Sequence, residues 1–441
     1  MKYETAKSIV LGVLVAVSLV LTWNLWTYQP TYDFIDKKYT QEVAIAGQMD
    51  ASKLVRPSKV LLHKDGEHYS TVRETEITEM LVDIGTWSFY NLSEPKSLTK
   101  VQIESISHAD NSVEILFPDR VPLELYKGMI HFETKETPVI QFDRIVISLD
   151  GEKKGETNVQ FVSSQDRVVY GSHINMDKLS AFRKKVLMEQ SHFEKCASYQ
   201  LPDGRRLFLP DGETRMTQYK YYSDYIDSDK FKNALFNDPS FVRKDVLPNG
   251  EKYTDGLSLL TINQALNSIS YVNPTQETER DIDANPADLL KRSIDFVNSH
   301  GGWTDNYRYF EMNKYEYSTV FRLFMKGYPV FNGDGMSEIR ERWGEQEIYK
   351  YDRPNYVLDL SLSSSEVVLP SPQAVLDHLM ANPDFQPDML QDITLGYKLQ
   401  NDPKLAKVLV FQPSWYYRYA GSWMPLGDEE IGGMHRGLEQ N

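Results

Sequence analysis

The segment SIVLGVLVAVSLVLTWNLW, residues 8–26, decides the architecture that we predict for this chain of 441 residues. No charged residue lies between Lys7 and Asp33. Nineteen residues in a helix, at about 1.5 Å per residue, extend roughly 29 Å, which matches the hydrocarbon thickness of a bilayer. The segment therefore predicts a single transmembrane helix, with most of the chain on one side of the cell membrane.

The residues on either side of this segment predict its orientation. Lys2 and Lys7 outweigh Glu4, and this positive bias predicts a cytoplasmic N-terminus and an extracellular ectodomain. At the other end we expect an aromatic belt at the membrane surface, formed by Trp23, Trp26 and Tyr28. A cleaved signal peptide is the alternative, with Ala16-Val17-Ser18 as its cleavage site. We favour the uncleaved anchor, because the apolar run continues past that site.

Small residues recur at every fourth position of the predicted helix. Ser8, Gly12 and Ala16 share one face, and Ser18 and Thr22 form a second, weakly polar pair at the same spacing. Such a stripe lets another membrane helix approach closely and gain packing energy. Gly and Ser are also ordinary in membrane helices. The anchor is thus either an interaction surface within the membrane or a simple tether.

Composition limits the classes of protein to which the rest of the chain can belong. The first 30 residues carry a side-chain charge of +1, so the total of −15 leaves −16 for the remainder. An acidic ectodomain disfavours binding to nucleic acid and to anionic polymers. Cys196 is the only cysteine, which excludes an intramolecular disulfide. An exported domain without disulfides is typical of Gram-positive bacteria.

Hydrophobic periodicity predicts helices and strands in alternation. Four amphipathic helices are expected, at Thr75–Ile84, Asp177–Glu189, Pro286–Asn298 and from Ser371-Pro372 onward. Strand-like segments fill the intervals, and hairpin dipeptides such as Asp203-Gly204 separate many of them. Short connections with few crossover helices favour an α+β fold of mainly antiparallel sheets with packed helices.

The order of these elements predicts a three-domain ectodomain behind the anchor. One amphipathic helix followed by several strands occurs near 177–273 and again near 286–425. The predicted limits are a cytoplasmic tail at 1–7, the transmembrane helix at 8–28, an N-terminal α+β domain at 31–173, and two helix-plus-sheet domains at 174–280 and 281–441.

Motifs that carry chemistry are few. The nine histidines show no H-E-x-x-H spacing, and His192 with Cys196 supplies only two ligands, so no metal or cofactor is predicted. Ser97 and Lys100 match the S-x-x-K of penicillin-recognising enzymes, but the companion motifs do not occur. The search yields no catalytic residue and favours a protein that is not an enzyme.

The aromatic segment from Phe411 to Trp423 has two interpretations. It is either a platform for a glycan or peptide, or a pair of strands whose alternate aromatic side chains fill a core. We favour the second interpretation. The first supports an alternative function for the whole chain, that of an extracytoplasmic sensor of a cell-wall glycan or peptide. A wall hydrolase is a third hypothesis, and it requires a catalytic constellation that the sequence does not offer.

Several short motifs resemble the YycH family of low-GC Gram-positive bacteria. They are the start Lys7–Leu11, the stretch LTWNLWTYQP at 21–30, and the later Leu395-Gly396-Tyr397, Pro413-Ser414-Trp415 and Gly421-Ser422-Trp423. The resemblance implies a regulator, without catalytic residues, of the WalK/WalR (YycG/YycF) two-component system, which controls cell-wall metabolism. It also implies a YycI-like partner, a three-domain ectodomain and restraint of the sensor kinase WalK through transmembrane helix contacts. A homo-oligomer is a further assembly that we consider.

Overall fold

The computed structural model describes residues 45–126, 130–133, 139–150, 157–277, 285–405 and 407–426, and within the N-terminal segment residues 7, 11, 12, 15–19 and 21. By its internal contacts the chain divides into two units, residues 1–40 and 41–441, and each is described by itself. In the first unit, the described residues are α-helical and exposed. The second unit contains the helices and strands that follow.

The elements of the second unit are given in chain order. The helices are α1 (Ala51–Leu54), α2 (Glu74–Ile84), α3 (Lys100–Ser107), α4 (Met176–Glu189), α5 (Ser228–Leu235), α6 (Pro286–Ser299) and α7 (Pro372–Ala381). The strands are β1 (Lys59–Lys64), β2 (Glu67–Thr71), β3 (Ser88–Phe89), β4 (Lys96–Ser97), β5 (Ser112–Pro122), β6 (His131–Phe132), β7 (Gln141–Ser148), β8 (Val159–Ser163), β9 (Val168–Ser172), β10 (Glu194–Gln200), β11 (Arg206–Pro210), β12 (Thr214–Tyr225), β13 (Arg243–Leu247), β14 (Gly250–Thr254), β15 (Leu259–Asn263), β16 (Ser268–Val272), β17 (Tyr307–Asn313), β18 (Ser318–Met325), β19 (Tyr328–Phe331), β20 (Glu338–Trp343), β21 (Ile348–Pro354), β22 (Tyr356–Leu369), β23 (Leu390–Asn401), β24 (Val408–Tyr419) and β25 (Ser422–Pro425).

The four predicted helices are confirmed as α2, α4, α6 and α7. α4, α6 and α7 each begin after a residue whose side chain accepts a hydrogen bond from the first turn, whereas α2 begins after Arg73 without such a cap. The side chain of Asn285 accepts a hydrogen bond of 2.9 Å from the Ala287 N–H, and Pro286 occupies the first turn of α6. The side chain of Ser371 caps α7 in the same way. α3 was not predicted from the sequence; it begins with a capping box between Thr99 and Gln102.

Two large sheets dominate the second unit. The nine-stranded sheet has the order β11-β10-β2-β1-β5-β7-β8-β9-β4, and every neighbouring pair in it is antiparallel. The fourteen-stranded sheet has the order β13-β14-β15-β16-β21-β20-β18-β19-β23-β24-β12-β22, with β17 paired to β18 and β25 to β24. The prediction of mainly antiparallel sheets with helices is therefore confirmed. A parallel pairing joins β19 to β23.

Sheet membership extends across the predicted domain limits. β10 and β11 complete the nine-stranded sheet, although they follow residue 173. β12 pairs with β22 and β24, although these strands follow residue 281. Strands from neighbouring predicted domains therefore share a sheet, and the three-domain division itself stays a prediction.

One continuous apolar core runs through the second unit, from Leu54 to Leu426. Polar contacts reinforce the junction between the early and late parts of the chain. The Tyr309 hydroxyl donates a 2.8 Å hydrogen bond to the Arg120 carbonyl oxygen. The carboxylate of Asp119 accepts a 2.9 Å bond from the Met312 N–H. These contacts connect β5 to β17, so the two sheets are held together by side chains as well as by the core.

Candidate functional sites

The residues predicted to act in the membrane belong to the N-terminal unit. Lys7, Gly12, Ala16 and Ser18 are described, and they are helical and exposed. A Cβ added at Gly12 would meet no atom within 4 Å. The other predicted residues lie outside the described part of the chain, namely Ser8, Thr22, Trp23, Trp26 and Tyr28. The stripe of small residues remains a prediction.

The predicted membrane anchor is the helix at residues 8–28. Among the residues that the structure describes, no helix has both the length and the apolar character needed to cross a bilayer. Most of residues 8–28 lie outside the described set. The transmembrane helix, its orientation and the location of the protein in the cell membrane therefore stay predictions.

A cleft of about 1040 Å³ opens in the second unit, between the nine-stranded and fourteen-stranded sheets. One wall comes from β2, the start of α2 and the chain around Phe193 and Glu194. The facing wall comes from β12, β18, β19, β23 and β24. A volume of this size is at the upper end of what small-molecule sites in proteins provide.

The cleft has both aromatic and charged walls. Its aromatic members include Tyr219, Tyr221, Tyr328 and Trp415, and its cations include Lys59, Arg73, Arg215 and Lys326. Burial raises the pKa of the Glu194 carboxyl, against the opposing charges of Lys59 and Arg73. Burial also raises the pKa of Asp305 to about 6. The walls can therefore stack on rings and can pair with charges of either sign.

A second polar feature is a buried cluster on one face of the nine-stranded sheet, beneath α3. We call it the histidine cluster; its members are His63, His68, Glu104, His108, Glu114 and Arg144. His63 on β1 and His68 on β2 are directly paired across the strands, with 2.8 Å between their Nδ1 atoms. Glu114 comes from β5 and Arg144 from β7, the next strands of the sheet. Glu104 lies on α3, and His108 caps its C-terminal end.

Hydrogen bonds in the histidine cluster converge on the fully buried Glu114. Its Oε2 atom lies 3.3 Å from His63 Nε2 and 3.1 Å from His108 Nδ1, and its Oε1 accepts a 2.6 Å bond from Arg144. Burial would raise the pKa of Glu114, but the charge of Arg144 and the two histidine bonds hold it well below its usual range. Burial would lower the pKa of His108, but its bonds to Glu104 and Glu114 raise it.

Local spacing in the sequence did not reveal the histidine cluster. Its members come from five elements, and the pairs that touch are 4 to 51 residues apart. A signal was nevertheless present, because His63 and Glu114 interrupt the apolar runs KVLLHK and VEILF. An ionisable residue inside a buried strand needs a hydrogen-bonded or charged partner. Such an interruption of an apolar run therefore predicts a second polar residue nearby in the fold.

The motifs considered in the sequence have structural roles. Ser97 ends β4, while Lys100 begins α3 and pairs with Asp203 at 2.6 Å, so S-x-x-K does not lie on one helix. His192 follows α4, whereas Cys196 is buried on β10, where its Sγ lies 3.0 Å from the Ser70 hydroxyl. The aromatic tail forms β24 and β25, and Phe411, Trp415 and Tyr416 are buried. This confirms the interpretation of the tail as core-filling strands.

Comparison with known proteins identifies the family. The family model described as "YycH protein, N-terminal domain" matches residues 4–191, and "YycH protein, C-terminal domain" matches residues 204–429. A relative from Bacillus subtilis (strain 168), the "Two-component system WalR/WalK regulatory protein YycH", is 26% identical over 449 aligned positions, which cover 97% of each chain. The crystal structure of YycH from Bacillus subtilis shares the fold, with a TM-score of 0.72 at 23% identity, over 87% of this chain and 98% of that one. This chain therefore belongs to the YycH family.

Proposed function

We propose that this chain is a membrane-anchored accessory regulator that restrains a cell-wall-controlling sensor kinase of the WalK (YycG) type. The observation that carries the proposal is family membership over almost the whole chain, since the Bacillus subtilis relative is named as a regulatory protein of the WalR/WalK system. The N-terminal family match begins at residue 4, so it includes the apolar segment that we predict to be the anchor. Regulation of this kind requires binding rather than catalytic residues.

The proposed mechanism is contact between membrane helices. The stripe of Ser8, Gly12 and Ala16 packs against a helix of the kinase or of a YycI-like partner. For such contact to restrain the kinase, the complex must bind its inactive conformation more tightly than its active one. A tenfold preference shifts the ratio of the two conformations tenfold, which corresponds to about 1.4 kcal/mol. The second unit then positions the helix or tunes its contact.

The test replaces small residues of the stripe with a bulky residue and keeps the segment apolar. In the double variant Gly12→Leu with Ala16→Leu, we expect weaker co-purification with the kinase and kinase-dependent reporter output that moves to the unrestrained level. The matched control is Val13→Leu with Val17→Leu, which has the same spacing on another face and should behave as the parent does. Unchanged output and unchanged co-purification in the first variant would contradict the contact proposed here.

A second candidate function is favoured by the cleft between the sheets. Its aromatic and charged walls suit a cell-wall glycan or peptide, which would make the second unit a sensor of wall material. Titration of the purified chain with muropeptides of defined composition tests this function by calorimetry. We expect binding that weakens in Tyr219→Ala, and the absence of any heat with the parent chain would remove the candidate.

A further inference from the structure

We propose that the histidine cluster binds a divalent transition-metal ion, with His63 Nε2, His108 Nδ1 and one oxygen of Glu114 as ligands. The ligand atoms of these three residues all lie within 4.8 Å of one another. Glu114 Oε2 is 3.3 Å from His63 Nε2 and 3.1 Å from His108 Nδ1. Zinc binds nitrogen and carboxylate oxygen at about 2.0–2.2 Å in a tetrahedron, which separates its ligand atoms by roughly 3.4 Å. The two distances from Glu114 Oε2 to the histidine nitrogens are already close to this value.

The far side of every proposed ligand is held by a suitable partner. His108 Nε2 lies 3.3 Å from Glu104 Oε2, which gives the carboxylate–histidine pair that commonly supports a metal ligand. His63 Nδ1 lies 2.8 Å from His68 Nδ1, and can donate its proton to it. The second oxygen of Glu114 accepts from Arg144. The tautomers that carry the proton on His63 Nδ1 and on His108 Nε2 match these partners, and they leave the three ligand atoms free to bind a metal ion.

Charge and donor chemistry both favour a cation at this place. Two carboxylates, Glu104 and Glu114, face the single guanidinium of Arg144 when the histidines are neutral. Two imidazoles with one carboxylate form a donor set typical of zinc and related ions. A proton on His108 is the competing occupant, because it would satisfy both carboxylates. Metal binding should therefore release a proton and weaken as the pH falls.

The surroundings of the cluster indicate a structural role for the metal. His63 and Glu114 are fully buried, and the ring of Phe208 lies within 4.7–4.9 Å of the rings of His63, His68 and His108, measured between centroids. The ion would connect the C-terminal end of α3 to β1 and β5. The inference concerns this part of the fold and does not depend on the regulatory function proposed above.

The experiment uses the full chain, purified in detergent, stripped with a chelator and titrated with zinc alone. We expect one zinc ion per chain by elemental analysis after dialysis, and a rise in the melting temperature on binding. In Glu104→Gln we expect a 10- to 100-fold loss of zinc affinity, typical of a change in the partner of a ligand. His378→Gln, on α7 and outside the cluster, is the matched control and should bind as the parent does.

Loss of a ligand gives the sharper comparison. His63→Gln with His108→Gln should abolish stoichiometric zinc, with circular dichroism to show that the variant folds. X-ray absorption of the zinc-loaded parent chain tests the site without any variant, and should show nitrogen and oxygen neighbours that include two imidazoles. The proposal is overturned if the parent retains no zinc, if its zinc has a different ligand set, or if the folded double variant binds zinc as tightly as the parent.

Discussion

Glu341, in the middle of β20, offers the most direct test of the electrostatics of this fold. Its side chain is fully buried. Its Oε2 lies 3.2 Å from the Thr319 hydroxyl, while its Oε1 has no hydrogen-bond partner. Burial raises the pKa of the carboxyl from its ordinary 4.5 to about 8, although the nearby polar side chains of Ser293, Thr319 and Trp343 oppose the shift. The native state therefore holds this side chain as a neutral acid at pH 7.

The raised pKa fixes the sign of the pH dependence. The carboxyl has a pKa of 4.5 in the unfolded chain and of about 8 in the folded chain, so below pH 4.5 its titration does not lower the free energy of unfolding. The cost grows as the pH rises from 4.5 to about 8, because the unfolded chain is stabilised by ionising. At about 1.4 kcal/mol per unit of pKa, the free energy of unfolding falls by about 2 to 3 kcal/mol between pH 5 and pH 7 from this group alone.

Glu341→Gln retains the shape of the neutral acid and removes its titration. As the pH rises from 5 to 7, we expect the free energy of unfolding of the variant to increase by about 2 to 3 kcal/mol relative to that of the parent. The measurement is urea unfolding of residues 41–441, followed by tryptophan fluorescence. The matched control is Glu338→Gln on the same strand, where Arg322 and Arg340 outweigh burial and lower the pKa of the carboxyl. That variant should be destabilised by an amount that is nearly constant over the same range. A parent-to-variant difference for Glu341→Gln that does not change with pH would refute the reasoning.

Three further predictions concern the junction of the sheets and the helix caps. Gly327 adopts a φ of +90°, and a Cβ at this position would overlap the backbone oxygen of Val72. Gly327→Ala should therefore lower the free energy of unfolding by more than about 1 kcal/mol, the ordinary cost of a strained substitution. Equal stability of parent and variant would contradict the close approach. Tyr309→Phe removes the bond to the Arg120 carbonyl oxygen and should cost about 1 kcal/mol in urea unfolding, whereas Tyr315→Phe, at an exposed position, should cost nothing. Asn285→Ala removes the cap of α6 and should lower the free energy of unfolding by about 1 kcal/mol. Asn285→Asp keeps a capping oxygen and should retain most of that stability. Equal losses in both variants would show that the cap does not stabilise the helix.

The helices could be predicted from sequence because their signals are local. The apolar stripe of α2 and the Asn285-Pro286 start of α6 lie within a few residues of the structure that they specify. α3 was not predicted because it has only eight residues, of which only Ile103 and Ser107 are buried. The Thr99 capping box that starts it lies within the Ser97–Lys100 segment that matches S-x-x-K.

The order of the strands and the histidine cluster could not be predicted in this way. Whether Tyr219 pairs with Phe411 depends on which surfaces come together in the whole chain. The contact of His63 with Glu114 likewise depends on the pairing of β1 with β5. Turn signals identify hairpins between successive strands, but they contain no information on partners that lie far apart in the chain.

The pairing of β12 with β24 has a consequence for how the molecule is made. The chain is synthesised from its N-terminus, so Tyr219 emerges from the ribosome long before Phe411, the residue with which it is paired in the sheet. Until then β12 has open edges, because its other neighbour, β22, also comes late. Long-range strand pairing of this kind folds slowly and leaves strand edges open to wrong partners. The fourteen-stranded sheet can therefore be completed only after β24 has emerged, and the edges of β12 stay open to wrong partners until then.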